Sequence, residues 1–225
     1  MSPPGAHGSP RPGLGREAGL IDRLREHRSR RLGFSGGVDS AYLACVAIDA
    51  VGSERLLAVI GRSASYPAEQ WQTARNVASR NGIEVLEVDT HEMDDPRYVA
   101  NPTNRCYFCK AELWSVLERV RAERGISTII DGTNADDRHD HRPGAKAAEE
   151  HGVHSPLAQF EMTKADIRAR SRARGLPTWQ QPSSPCLSSR LPSGTPVTVA
   201  RLRPGPQAEA GVRPPGAAGR RPGGA

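Results

Sequence analysis

The residues best suited to chemistry lie in two places, and the first is the string Ser35-Gly36-Gly37-Val38-Asp39-Ser40, between the apolar run RLGF and the helix-compatible AYLACVAI. Gly36 and Gly37 carry no Cβ, so a tight turn here can aim successive backbone N–H groups at one point. Ser35 and Ser40 add hydroxyl donors, and a helix starting just afterwards adds the positive end of its dipole. Asp39 can cap N–H groups at that helix start or hold Mg2+, which in turn clamps phosphate oxygens. A bare SGG would read as an ordinary strand-to-helix turn. The complete string between a strand and a helix is a cradle for a nucleotide phosphate. It differs from the mononucleotide loop ending in GK[ST], because no lysine follows the glycines.

The second place is a set of thiols. Cys106 and Cys109 are spaced C-x2-C in NRCYFCK, and Cys186 stands in SSPCLSSRLPSG. A C-x2-C pair can present two thiolates to one metal, and a third cysteine leaves one tetrahedral position open. His139, His141 or His154 would complete a zinc site. A [4Fe-4S] cluster held by three cysteines, with one iron free for a non-protein ligand, is another solution. Dithiol redox chemistry and unrelated buried thiols are the remaining readings. Cys45, inside the apolar run after the glycine turn, reads as core.

These residues need elements to position them. GLIDRLREHRSR (19 to 30) reads as an amphipathic helix leading into the first strand, LLAVIG (56 to 61) as a buried strand, and Pro67 to Asn81 as a helix opened by proline and closed near Gly82. Ile83 to Val88 and Thr128 to Asp131 read as further strands, with a helix over Lys110 to Arg124 between them. Such alternation implies an α/β fold, a doubly wound parallel sheet with ligands at the carboxyl ends of its strands. The loops at 35 to 40, 62 to 66 and 132 to 137 fall at those ends. The last of these, Gly132-Thr133-Asn134-Ala135-Asp136-Asp137, suits a nucleotide site, with Asp136 or Asp137 near Mg2+ or ribose; alone it would pass for an Asn/Asp-rich turn.

Length and composition set bounds. The 225 residues suffice for one sizeable α/β domain. The first 16 are rich in proline and glycine without an apolar stretch, and read as a disordered leader, not a signal peptide. No run is long enough to span a membrane. Four cysteines without a secretory signal imply reduced thiols and a cytoplasmic protein. The net charge of +6 falls mainly in the last 25 residues, which carry five arginines against one glutamate and leave about +2 for residues 1 to 200. A body so nearly neutral argues against a nucleic-acid partner.

SGGVDS resembles the PP-loop of the ATP pyrophosphatase superfamily, with an adenine nucleotide alpha hydrolase-like fold. RSASYP (62 to 67), NRCYFCK, DGTNADD (131 to 137), RPGAKAAEEHGVHSPL (142 to 157), KADIRARSRARGLPTW (164 to 179) and PSSPCLSSRLPSGTPVT (182 to 198) together resemble LarE, a family of ATP-dependent sulfur transferases. The resemblance runs from about residue 17 to about residue 203. It implies adenylation of a carboxylate on a pyridinium mononucleotide and its conversion to a thiocarboxylate in nickel-pincer cofactor synthesis. It implies ATP and Mg2+ held by Ser35, Gly36, Gly37, Asp39, Ser40, Arg62, Ser63, Gly132, Thr133, Asn134 and Asp136, with Cys186, Asp39 and Lys164 in catalytic roles. Members with only the PCLSSR-type cysteine surrender its sulfur and keep dehydroalanine; those with an added C-x2-C pair hold a [4Fe-4S] cluster. Having both, this chain is expected to ligate a cluster through Cys106, Cys109 and Cys186, ahead of the sacrificial route and ahead of zinc. Lys164, Arg168 and Arg190 are candidates for steering anions.

The pattern departs from the family in places. Gln180 and Gln181 replace an expected acidic-basic pair, and Ser193 an expected aromatic residue. After Val199 the resemblance stops, and residues 201 to 225 read as a disordered Pro/Gly/Arg-rich tail in place of a segment that binds substrate phosphate and mediates assembly, including any homo-oligomer. Competing readings are a tRNA thiolase of the PP-loop class, an amidating synthetase of the NAD or GMP type, and a non-catalytic nucleotide-binding remnant. The abrupt change at Val199 is expected to reflect truncation or a frameshift. Translating the other reading frames beyond that codon should then yield a family-like continuation, and its absence would refute the frameshift.

Overall fold

The computed structural model describes residues 14–26, 30–139 and 143–203. The expected leader up to residue 13, His141 and the tail beyond residue 203 lie outside these, as does the His139 side chain. Four parallel strands, β1 (Arg30–Gly33), β2 (Leu56–Arg62), β3 (Val85–Asp89) and β4 (Thr128–Ile130), form one sheet in the order β3-β2-β1-β4. The helices are α1 (Leu14–Arg25), α2 (Val38–Val51), α3 (Ala68–Arg80), α4 (Pro96–Val99), α5 (Arg105–Glu123), α6 (Pro143–Glu150), α7 (Pro156–Gln159), α8 (Lys164–Ala173) and α9 (Val199–Leu202).

Alternation along the strands divides the core into two faces, as a period of two requires. Leu56, Ala58 and Ile60 of β2 join Leu32 and Ile130 against α1, α2, α3 and α8, whereas Leu57, Val59 and Ile129 face α5 and α6. The sheet is therefore covered on both sides. The direction in which strands are added reverses at β1: β2 and β3 are laid down on one side of it, and β4, reached through α5 on the opposite face, on the other. The crevice beyond the carboxyl ends of β1 and β4 is the switch point where such sheets bind ligands.

Three boundaries differ from the expectation. The first helix begins at Leu14 and ends at Arg25, because Arg16 donates from Nη1 to the Glu161 carbonyl at 3.0 Å and to Asp166 Oδ2 at 2.9 Å, fixing what reads in sequence as leader. Leu20 and Leu24 are fully buried on α2 and its neighbours, and at about 1.5–3 kcal/mol each that burial outweighs the half-exposed Arg16 ion pair. At the other end, Arg201 and Leu202 belong to α9, with Leu202 only 4% exposed. Leu202 joins Tyr98 and Val197 in a third cluster, against which Phe108, Cys109, Leu187 and Leu191 pack. Finally, α5 starts at Arg105, five residues before the expected start at Lys110, so the C-x2-C pair lies in its first turns.

The third cluster attaches the Cys186 segment to the body. Leu202→Ala should cost about 2 kcal/mol or more and raise the rate of proteolytic cutting in residues 186–203 before the sheet unfolds. Limited proteolysis followed by mass mapping checks this.

Candidate functional site

The turn after β1 is fixed by contact. Gly36 has φ +68, and a Cβ there would lie 2.4 Å from the Ala74 Cα of α3, so only glycine fits. Ser35 Oγ lies 3.2 Å from Ser40 Oγ, and the Gly37 N–H donates to Ser35 Oγ at 3.4 Å. Tyr66 Oη and Gln70 Nε2 donate to the Ser35 carbonyl at 3.1 and 3.4 Å, holding the turn from the next strand end. Burial pushes the Tyr66 hydroxyl up to about 12, with the Glu87 charge adding to the effect, so it stays a neutral donor.

Asp39, in the first turn of α2, caps nothing: Gly37 is the N-cap, without a side-chain bond. Instead, Lys164 Nζ donates to Asp39 Oδ2 at 2.5 Å, and Asn134 Nδ2 reaches Asp39 Oδ1 at 3.4 Å. The lysine is itself placed by its backbone N–H, which donates to Asp136 Oδ2 at 2.8 Å. It opens α8, whose first turn is closed by a capping box between Thr163 and Asp166. Asp136 thus positions Lys164, and it is Asp137 that lines the cleft. Thr133 bonds to both oxygens of Asp131, at 3.1 and 2.8 Å. A Cβ on Gly132 would come within 3.0 Å of the Ser40 backbone nitrogen, so the two ligand-side turns touch.

A cleft of about 830 Å3 opens at this end of the sheet, and Ser35, Asp39, Ser40, Ser63, Gly132, Thr133, Cys106, Cys109 and Cys186 are all on its walls. Arg62 is not. Strand alternation turns it outward, where its guanidinium lies 5.1 Å from the Trp71 ring and 3.3 Å from Glu87 Oε2. Arg168 also departs from the expected anion-steering role, because its fork donates to the carbonyls of Trp179 and Gln181. Arg190 is exposed at the end of a short 3-10 turn. His154 pairs through its backbone beside β4.

The three thiols differ. Cys106 is exposed, whereas burial pushes the Cys109 thiol up to about 12, with Glu92 adding to the rise and Lys110 opposing it. Cys186 Sγ lies 3.1 Å from Ser189 Oγ. Among the described residues no group of three or more His, Cys, Asp or Glu is drawn close enough to hold a metal ion. The thiols are of the type and number for three-point ligation and line one cleft, without being drawn together at one point. Cys45 packs against the main core, and burial pushes its thiol up to about 11.

Sequence reasoning missed several cleft residues. Glu92 is 2% exposed; its Oε1 accepts from Ser65 Oγ at 2.9 Å, while Oε2 is buried without a partner among the described residues. Lys110 is the one cation among the described lining residues, which also include four carboxylates, Asp39, Glu92, Asp131 and Asp137. A usable signal existed for Lys110, four residues after Cys106 on what proves to be one helix. Glu92 follows the end of β3, where a ligand-facing loop is expected.

The parallel sheet and the glycine turn at its switch point define a nucleotide-binding domain of the PP-loop class. A family model described as NAD synthase matches residues 18–102. The fold is also that of a glutamine-dependent NAD+ synthetase from Acinetobacter baumannii, at TM-score 0.64 and 17% identity over 80% of this chain and 38% of that one. An uncharacterized protein of Synechocystis sp. is 44% identical over 76% of this chain and 64% of its own length. Pyridinium-3,5-bisthiocarboxylic acid mononucleotide synthase of Lactiplantibacillus plantarum is 31% identical over 81% of this chain and 66% of its own. The chain belongs to the LarE-like PP-loop family. It spans just under two-thirds of the length of these two relatives.

Two outcomes follow. Gly36→Ala should destabilise the fold by about 1–2 kcal/mol from the left-handed backbone alone, and more from the Ala74 contact, in a denaturant titration. At pH 8, iodoacetamide should label Cys106 well before Cys109, because a thiol pushed up to about 12 leaves a thiolate fraction of about one in ten thousand. Peptide mass spectrometry of the metal-free protein reads this directly.

Proposed function

We propose that this protein is an ATP-dependent sulfur transferase that adenylates a carboxylate of a pyridinium mononucleotide and replaces one of its oxygens with sulfur. The observation that carries the reading is the shared cleft, in which the phosphate-type turn and all three sulfur-bearing residues line the same walls. The NAD synthase family model matches residues 18–102 and stops before the first of those cysteines. An amidating enzyme has no need for three cysteines.

In this reading the N–H groups of the 35–40 turn and the hydroxyls of Ser35 and Ser40 hold the pyrophosphate end of ATP. Asp39, flanked by Lys164, is the carboxylate for Mg2+, and Ser63, Gly132, Thr133 and Asn134 line or support the nucleoside side. The substrate carboxylate attacks the α-phosphorus; a new O–P bond forms, and the bond to pyrophosphate breaks. Lys164 offsets charge that builds on the phosphoryl oxygens. A sulfur nucleophile then adds to the acyl carbon, and AMP leaves with the original oxygen.

Two sources of that sulfur remain within the reading. Cys106, Cys109 and Cys186 would hold a [4Fe-4S] cluster whose fourth iron, when the cluster is bound, supplies sulfide. In the other route, Cys186 attacks, and loss of its Cα proton breaks the Cβ–S bond to leave dehydroalanine. The partner is a small nucleotide. No helix among the described residues is long and apolar enough to cross a membrane, and reduced thiols fit a cytoplasmic setting.

ATP–pyrophosphate exchange should require the pyridinium substrate, and Asp39→Ala should lower it about a hundredfold or more, as expected for losing the metal carboxylate. Cys186→Ala should keep exchange and lose thiocarboxylate. Exchange that ignores the pyridinium compound, or ammonia-dependent amide formation, would defeat the proposal. Iron and labile sulfide in anaerobically purified protein separate the cluster route from the sacrificial one.

A further inference from the structure

Arg105 is buried at the first position of α5, and among the described residues the partners of its guanidinium lie in or beside the Cys186 turn. Nη1 donates to the Ser188 carbonyl at 2.8 Å and to Asn101 Oδ1 at 2.5 Å, while Nη2 donates to Ser189 Oγ at 3.1 Å. A guanidinium can only donate. Ser189 must therefore accept from Arg105 through an oxygen lone pair, which leaves its single hydrogen for another partner. Cys186 Sγ lies 3.1 Å away and can take it.

We infer that Arg105 is a positioning residue for the sulfur of Cys186, acting through Ser189, whose hydroxyl it orients to donate to Sγ. The rest of the turn is arranged for this. The Leu187 N–H donates to the Ser65 carbonyl at 2.9 Å, and Tyr98 Oη lies 2.7 Å from Ser188 Oγ, so the Cys186 turn is tied both to the strand end after β2 and to α4. Ser188 is fully buried. Within the turn, Ser189 is the residue whose hydroxyl meets both the guanidinium and the sulfur. A donor held at 3.1 Å from Sγ fixes where the sulfur sits and which way its lone pairs face.

The inference deepens the proposed function by naming what supports Cys186, whichever sulfur route operates. Its test needs neither ATP nor acceptor, so its failure is distinct from failure of that reading. The full chain, reduced and freed of metal by a chelator, is treated with iodoacetamide at one pH. Adducts on Cys186 and on exposed Cys106 are followed by peptide mass spectrometry. Ser189→Ala should slow Cys186 about tenfold relative to Cys106, the loss that one hydrogen bond to a charged group supports. Ser189→Thr, which keeps the hydroxyl at an exposed position, should restore the rate to within about twofold. Arg105→Gln should slow Cys186 although Ser189 remains; Arg105 is buried, so the serine pair carries the test if that variant fails to fold. An unchanged Cys186 rate in Ser189→Ala, a parallel change at Cys106, or failure of threonine to rescue would overturn the inference.

Discussion

A buried positive charge, with no carboxylate against it among the described residues, ties this site together. Removing a guanidinium from water is costly unless its donors are satisfied, and Arg105 meets that requirement with an amide oxygen, a backbone carbonyl and a hydroxyl. Two of those acceptors belong to a turn more than 80 residues further along the chain. The charge is accommodated only when that turn is in place, so burying Arg105 and bringing Cys186 to the cleft are one event. The third apolar cluster supplies much of the attraction, and the directional bonds of Arg105, Ser65 and Tyr98 supply the register.

The cleft is electrostatically lopsided. Four carboxylates and one lysine line it among the described residues, and Lys164, which reaches the lining residue Asp39, is committed to that carboxylate. A wall of that composition repels a bare polyphosphate and accepts one that arrives with a divalent cation. The N–H groups of the glycine turn do not change this balance, because they carry only partial charge. The charge of the lining thus favours a metal-bound nucleotide.

Much of this was legible in the sequence, and what was not has identifiable causes. The strands at 56 and 128 and the glycine turn were readable because apolar runs flanked by glycine are local signals. The start of α5 at Arg105 was not, since NRCYFC contains few strong helix formers and is held helical by Tyr107, Phe108 and Cys109 packing into two separate clusters. Leu14 to Arg16 read as leader for a similar reason, their order coming from Glu161 and Asp166. Arg62 shows the limit of reasoning from loop position: it follows a strand as the ligand-facing loops do, yet alternation sends it to Trp71. The contact between Asp39 and Lys164 spans 125 positions, and no local pattern announces it.

The strand order carries a consequence for how the chain is made. β1 is an inner strand, flanked by β2 on one side and by β4 on the other, with Leu32 aligned to Ala58 and to Ile130. As the polypeptide emerges from the ribosome, the β1-α2-β2 unit can pair early, but one flank of β1 stays uncovered until residues near 130 appear. Through that interval an unpaired edge, with the glycine turn at its tip, is open to other chains. Cellular yield of the protein should therefore depend on how quickly translation passes from residue 60 to residue 130, and on chaperones that shield that edge meanwhile.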